Sequence, residues 1–378
     1  MKIIHIAAVR FNSENNHIEG GGLSHSIPKL AMAQSKKNSL GIITTRGSSK
    51  PNIGNIYWKS ISNKSFFDLL LNDPFNELNR EFGIPDIIHT HDVYELKSLA
   101  FIFHAKKHNI RVFISPRGNL SDVALSRKKL KKMIYLYFCF NLFLSKINGF
   151  VALNDGEKRI IKNRYKKKNV IIIGNGVDNN DNYFNKYRRN YIEKNKISEI
   201  NIGYIGRLEI HIKGIDLLIR SFLNFKETFR DKSAKLTLIG AHSKKTNSIN
   251  FFREIENQIK DKSLIDIKGP LFNDDKFSEI SKFDIFVHPS RTEGMPNAVL
   301  EAMSMGIPCM VSPQTNMGPI INAADCGWVV ENDEESLSNF FAEIINIDKK
   351  VLQRKGNNGR EYSRKYLRWE MIGETPYK

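Results

Sequence analysis

Two glutamates eight residues apart, Glu293 and Glu301, enclose a Gly294-Met295-Pro296-Asn297 turn within HPSRTEGMPNAVLEAMSMGIPCM, residues 288–310. Pro296 and Asn297 suit a helix start. Glu293 then lies in the loop, and Glu301 about one turn down the helix on roughly the face of Asn297 and Ala298. Backbone amides of Gly294 to Asn297, at the positive end of that helix, suit phosphate or sugar oxygens. Glu301 near the same end accepts donors, and a ribose diol offers two. Both carboxylates come from one face of one strand-to-helix junction, so they do not oppose each other across a bond as glycoside hydrolysis requires. No neighbouring His or Asp completes a metal shell at usable spacing, and His288 reads as a packed residue.

Four other segments carry charge or backbone chemistry. In NIGYIGRLEIHIKGIDLLI, Gly206 and Arg207 leave a strand, and Lys213 and Gly214 precede a helix. Two cations on one loop can neutralise a diphosphate, although basic surface residues are also common there. EGGGLS places Gly21 and Gly22 before a helix, where amides can approach an anion. That stretch is neither a GxGxxG fingerprint nor a Walker A loop, and an ordinary flexible loop is the alternative. In HTHD, alternation sends His89 and His91 the same way. The pair suggests a metal or a charge relay, but the local sequence lacks a third ligand, and one core histidine beside one cleft histidine is preferred. SPRGNL presents Arg117 at a similar strand exit, toward an anion in the crevice.

The elements that must position these residues alternate regularly. Lys2 to Ala8, Ser39 to Thr44, Ile87 to His89, Arg111 to Ser115 and Gly149 to Leu153 read as strands, separated by helices near Leu23 to Gln34, Val93 to Lys107, Arg127 to Leu144 and Gly156 to Lys162. The rhythm restarts with strands at Ile200 to Gly206, Lys235 to Ile239, Ile265 to Lys268, Ile285 to His288, Pro308 to Val311 and Trp328 to Val330. Asp181 to Lys196, rich in Asn, Lys and Arg, is the candidate linker. The class is therefore α/β, with two mostly parallel sheets, ligands at the C-terminal strand ends and a cleft between the domains.

A chain of 378 residues accommodates two such cores. Its net charge of +18 is uneven: residues 1–195 hold 32 Lys/Arg and 15 Asp/Glu, the remainder 26 and 25. The densest basic run, Arg127, Lys128, Lys129, Lys131 and Lys132, precedes Tyr135, Tyr137, Phe138, Phe140 and Phe143; Lys166 to Lys168 form a second. Solvated helix faces, an anionic membrane surface or nucleic acid would each fit the charge, but no recognition motif supports nucleic acid. The first residues lack a secretory signal, and Ile134 to Leu144 has about half the length of a membrane span, which predicts a core helix. Cys139, Cys309 and Cys326 show no CxxC spacing, and they fit a reducing cytoplasm in apolar surroundings.

The order of Gly21-Gly22, His91, Asn175-Gly176-Val177-Asp178, Gly206-Arg207, Lys213-Gly214, Glu293 to Asn297, Leu300-Glu301-Ala302 and Gly306-Ile307-Pro308 resembles the retaining nucleotide-sugar glycosyltransferases of glycosyltransferase family 4. SPRGNLSDVAL resembles a bacterial surface-polysaccharide subgroup that often has His where Arg117 stands. The resemblance implies a GT-B fold, with two Rossmann-like domains facing each other across a cleft. The first spans 1–185 and is rejoined by a C-terminal helix at 362–378; the second, 186–361, binds the nucleotide sugar. Glu301 would bind the ribose, and Glu293 the transferred sugar or adjoining phosphate. Arg207 and Lys213 would hold the diphosphate, Gly21 and Gly22 would lie beside it, the amides of Gly294, Met295, Pro296 and Asn297 would contact the sugar, and His91 would face it.

The implied reaction is retaining transfer from a UDP- or GDP-sugar to a saccharide or polyprenyl-diphosphate-linked saccharide, in O-antigen, lipopolysaccharide or capsule synthesis. It needs no cofactor and no metal. Arg117 would meet acceptor phosphate, and Arg127 to Lys132 an anionic membrane, placing the protein in the cytoplasm on the inner face of the plasma membrane. A nucleotide-sugar epimerase of similar shape would need carboxylates and histidines around the sugar that are not recognisable. A basic nucleic-acid-binding protein would bind with strong salt dependence, and a noncatalytic nucleotide-sugar-binding protein would not need Arg207, Lys213 and Glu301 together.

Overall fold

A computed structural model describes residues 1–12, 17–19, 22–47, 54–126, 128–194, 199–231, 233–243, 246–258 and 263–377. The chain divides into two compact units, Met1–Gly176 with Trp369–Lys378, and Val177–Arg368.

In the first unit, β1 (Lys2–Ala7), β4 (Ser39–Thr44), β5 (Tyr57–Ser60), β6 (Ile87–His91), β7 (Arg111–Ser115), β8 (Gly149–Ala152) and β9 (Asn169–Ile172) form one parallel sheet in the order β5-β4-β1-β6-β7-β8-β9. A short antiparallel pair, β2 (Arg10–Asn12) and β3 (His17–Glu19), lies outside it. Helices cover both faces, so β1 and β6 are buried at nearly every position and read as continuous apolar runs interrupted by His5, His89 and His91. The register places His5 beside His89, and His91 beside Ser115. Three histidines thereby enter one interior from two adjacent strands. Trp369 and Tyr377, from the C-terminal segment, pack into the cluster of Ile3, Ile27, Leu40 and Trp58.

The second unit carries β10 (Ile200–Ile205), β11 (Ala234–Ile239), β12 (Ile265–Lys268), β13 (Ile285–His288), β14 (Cys309–Val311) and β15 (Gly327–Val329), parallel in the order β12-β11-β10-β13-β14-β15. Strand order reverses between β10 and β13, and sheets of this kind bind ligands beyond the carboxyl ends of the strands at such a point. The loops leaving β10 and β13 hold Arg207, Lys213 and Glu293.

Several expectations need correction. The supposed linker is helical over Asp181–Lys194 and bolted to the second unit, where its Arg188 side chain is buried and donates to Ser281 O and Phe283 O at 2.8 and 2.7 Å. Tyr183 also stacks on Phe277. The division consequently falls after Gly176, not at 185. The helix Lys349–Tyr366 belongs to the second unit, and only Trp369 onward returns to the first, so the rejoining segment is shorter than 362–378. Ile134 to Leu144 is not a core helix: Leu136 and Phe140 are buried, but Tyr137, Phe138 and Leu142 are exposed, as is Cys139. Strand β5, of mixed polar composition, and β9, a short apolar run after Asn169, escaped the reading of apolar runs.

Candidate functional site

At the switch point of the second sheet, two loops are stitched together. Arg291, after β13, forms a two-pronged ion pair with Asp216 at 2.8 Å for each contact, and donates from its backbone N–H to Ile212 O at 2.7 Å. Gly214 has φ +67°, and a Cβ there would lie 2.1 Å from Pro289 O. Glycine is therefore required by both conformation and close approach. Lys213 immediately before it is paired with Glu293. Burial works to raise the Glu293 carboxyl, but Lys213 and His288 hold it down at about 2. Its backbone is fixed as well, because Glu293 N–H donates to Gln314 O at 3.0 Å and Asn316 Nδ2 donates to Glu293 O at 2.7 Å.

The helix begins at Asn297, with Pro296 as its cap residue and no side-chain cap. Glu301 lies on that helix as expected, and its partner is Lys276 of the helix Asn273–Ile280, at 2.8 Å. Arg207 is exposed beyond β10, and its guanidinium makes no hydrogen bond or ion pair with the described residues. The structure thus brings Lys213 together with Glu293 in one loop cluster, and sets Glu301 on the helix that this cluster opens. An ordinary ion pair occupies each carboxylate, so each has a basic side chain that an anionic ligand can attract.

The first unit holds a second constellation, and its proton order follows from one residue. The Arg117 guanidinium can only donate. It lies 3.3 Å from His91 Nδ1, 2.7 Å from Asn175 Oδ1 and 3.3 Å from Ser26 Oγ. His91 Nδ1 must accept, so its proton is on Nε2, which donates to His5 Nδ1 at 2.9 Å. His5 then donates from Nε2 to Gln34 Oε1 at 2.8 Å. Gln34 Nε2 donates to the Tyr377 hydroxyl at 3.2 Å, and that hydroxyl lies 2.8 Å from His89 Nδ1. The other ring nitrogen, His89 Nε2, pairs with Ser115 Oγ at 2.8 Å. Every imidazole in this chain is neutral. Burial, supplemented by Arg117, pulls His5 down to about 4 and holds His89 and His91 well below their ordinary value. Burial also lowers Arg117 to about 10, against the pull of Glu157.

This arrangement bears on two expectations. The third histidine missing from HTHD is His5, supplied by the neighbouring strand, and ligand atoms of the three lie within 4.8 Å of one another. They do not suit a metal: His91 Nδ1, which a metal-bound ring would turn outward as a donor, instead faces a cation. Neither His89 nor His91 lies on an open surface, since both are buried. Gly22 begins the helix Gly22–Gln34, whereas Gly21 and Arg127 lie outside the described residues. Lys128, Lys129, Lys131 and Lys132 fall at the start of the segment with the exposed aromatics.

Residues 199–346 match the family described as Glycosyl transferases group 1. Over those residues the chain is similar to the group 1 glycosyltransferases. It is 24% identical over 310 residues to the capsular polysaccharide biosynthesis glycosyltransferase CapM of Staphylococcus aureus, spanning 73% of this chain and 77% of that one. It is 40% identical over 78 residues, 20% of each chain, to the UDP-Gal:alpha-D-GlcNAc-diphosphoundecaprenol alpha-1,3-galactosyltransferase of Escherichia coli. The structure of Anabaena Alr3699/HepE in complex with UDP and glucose superposes with a TM-score of 0.71 at 16% identity, covering 99% of this chain and 97% of that one. That likeness shows the fold, GT-B.

The group 1 match contains Arg207, Lys213, Glu293 to Asn297 and Glu301, but neither Arg117 nor the three histidines. Sequence reasoning missed Lys276, which no local spacing ties to Glu301, and Arg291, although its place three residues after His288 was visible. It also read His288 as packing alone. The ring is buried, yet Nε2 lies 3.2 Å from Glu293 Oε1.

Proposed function

We propose that the protein is a retaining glycosyltransferase, transferring a sugar from a nucleotide-diphosphate sugar to a saccharide or polyprenyl-diphosphate-linked saccharide in cell-surface polysaccharide synthesis. The observation that carries this reading is the joining of Lys213 to Glu293, with Glu301 on the adjoining helix, inside the segment that matches group 1 glycosyltransferases. Relatives named for capsule synthesis and for a diphosphoundecaprenol acceptor support the acceptor class. Arg207 and Lys213 neutralise the diphosphate and the charge that grows on it as the glycosidic bond breaks. The acceptor hydroxyl oxygen bonds to the anomeric carbon on the face the phosphate oxygen leaves, and its proton passes to that oxygen. Glu301 holds the ribose, Glu293 the transferred sugar, and the amides of Gly294 to Asn297 further donor oxygens. The same reading assigns Gly21 and Gly22 to the diphosphate, Arg117 to acceptor phosphate and His91 to the transferred sugar.

A thermal-shift screen of UDP- and GDP-sugars, followed by product analysis with lipid-linked acceptors, tests the assignment. Glu301→Gln is expected to weaken donor use by about 10-fold or more, since a hydrogen bond to a charged acceptor contributes about 1.5–3 kcal/mol. Unchanged donor kinetics in this variant would remove Glu301 from the ribose site.

The membrane proposal rests on surface chemistry. Leu130, Tyr137, Phe138 and Leu142 are 74%, 68%, 62% and 73% exposed and share their segment with the exposed Lys128, Lys129 and Lys131, whereas Lys132, expected among the membrane contacts, is turned inward, donating to Ala124 O over the Tyr94 ring. Exposed apolar groups beside lysines suit the interface of an anionic bilayer. No helix of the described residues is long and apolar enough to cross a membrane. Phosphatidylglycerol-containing vesicles are expected to carry the protein upward in a flotation gradient, and replacing Lys128, Lys129 and Lys131 by Gln to leave most of it at the bottom. Equal flotation of the two proteins would contradict the proposal.

A further inference from the structure

We propose that His288 and Ser290 are positioning residues for Glu293, keeping its carboxylate aimed at a hydroxyl of the transferred sugar while Lys213 is drawn to the donor diphosphate. The inference rests on the donor reading above.

Three donors converge on a single oxygen of Glu293. Lys213 Nζ, His288 Nε2 at 3.2 Å and Ser290 Oγ at 3.2 Å all meet Oε1. Oε2 has no partner among the described residues, so one oxygen is anchored and the other is left to accept. The strongest of the three donors is also the one under competition, because a diphosphate brings more negative charge to Lys213 than one carboxylate does. Once Lys213 turns to that ligand, only the two neutral donors remain to stop the carboxylate from rotating.

The setting of His288 suits this role better than packing alone. Its ring is buried and lies nearly parallel to Tyr204, at 5.5 Å and 9°, and to Phe286, at 6.0 Å and 16°. Those neighbours fix its plane. A carboxylate only accepts, so the proton must be on Nε2, and Nδ1 is then a buried acceptor without a hydrogen-bond partner. An orphaned buried nitrogen opposes folding. Phenylalanine would fill the same stacked slot without that cost, so what histidine adds is the Nε2 proton. Burial lowers the pKa of the imidazole, partly offset by Glu293, which keeps it a neutral donor. Ser290 is held from the other side, its carbonyl accepting from Ser312 Oγ at 2.6 Å.

Two experiments test the proposal. Long-range 1H–15N spectra of the wild type, with the His288 signals assigned by their loss in His288→Gln, are expected to show the proton on Nε2; a proton on Nδ1 overturns the hydrogen bond and the proposal. In turnover with the sugar nucleotide found by the screen, His288→Phe is expected to keep its melting temperature and its affinity for UDP or GDP while kcat falls about 10-fold. His288→Gln, whose amide reaches the Nε2 position, is expected to recover most of that loss, and Ser290→Ala gives the same split between kcat and nucleotide affinity should His288→Phe not fold. Wild-type kcat in both His288→Phe and Ser290→Ala overturns the proposal and leaves the donor reading standing. A wild-type protein that binds neither UDP nor GDP and transfers no sugar overturns the donor reading, and the proposal falls with it.

Discussion

Between about pH 7 and pH 5 the first unit is expected to lose stability steeply, by about 1.4 kcal/mol per pH unit for each histidine that stays neutral in the fold while its unfolded counterpart takes a proton. His5, His89 and His91 all meet that condition, chiefly through burial, and His5 does not protonate until about pH 4. Because the folded values are depressed, their contribution is fully present above the unfolded value near 6.5 and is lost as the pH falls toward the folded ones. Asp92 and Glu157 work in the opposite sense, since burial raises both carboxyls. Each takes up its proton above the ordinary carboxylate range and so offsets part of the loss as the pH falls.

Trp58 and Trp369 are packed in the first unit, and Trp328 belongs to the second. Urea titration of a Trp328→Phe variant by fluorescence therefore isolates the first unit, and a flat midpoint between pH 7 and 5 would refute the account of the histidine chain. Tyr377→Phe removes the hydroxyl shared by Gln34 and His89 while keeping all three histidines, and is expected to lower the midpoint at pH 7.

Lys213→Ala is expected to lower kcat/KM by about 30-fold or more, corresponding to about 2 kcal/mol of transition-state stabilisation. The loss has two sources. The leaving diphosphate has one cation fewer at the moment its charge increases, and Glu293 loses the ammonium that holds its carboxyl near 2. The carboxyl pKa is then expected to rise, because burial is left opposed only by neutral donors. A fall in kcat at mildly acidic pH, absent from wild type, would separate this second effect from the first. Lys213→Arg retains the charge and is expected to recover part of the activity. Kinetics within about twofold of wild type for Lys213→Ala would remove Lys213 from the reaction.

Much of the fold was legible because both sheets are parallel and covered, which makes strands such as Ile285–His288 and Ser39–Thr44 stand out as short apolar runs between helical patterns. β9, which begins at Asn169 beside the Lys166–Lys168 run, has no such contrast. The linker was misread because the buried members of Asp181–Lys194 are one phenylalanine and one arginine, and an arginine that satisfies two carbonyls cannot be told by composition from one in water. Ile134 to Leu144 failed in the opposite direction, since apolar content does not say which partner covers a face.

At the candidate site, the legible part was local. Arg207 and Lys213 share one loop, and Glu293 and Glu301 share one strand-to-helix junction, so spacing alone relates them. His5 to His89, Gln34 to Tyr377 and Lys276 to Glu301 are contacts created by register and packing. A sequence without aligned relatives carries no signal for those pairs. Arg117 shows the boundary clearly: its exit from a strand was read correctly, but its control over the tautomers of His91 and His5 required all of their positions at once.

The return of Trp369 and Tyr377 to the first unit has a consequence for how the chain matures. During synthesis from the N-terminus, residues 1–176 emerge with Gln34 and His89 lacking their shared hydroxyl and with the place of Trp369 in the core unfilled. The whole of the second unit, 177–368, emerges next and can assemble on its own contacts. The first unit is thus begun before the second and closed after it, and a chain cut shortly before residue 369 would carry a finished second unit attached to an unclosed first one.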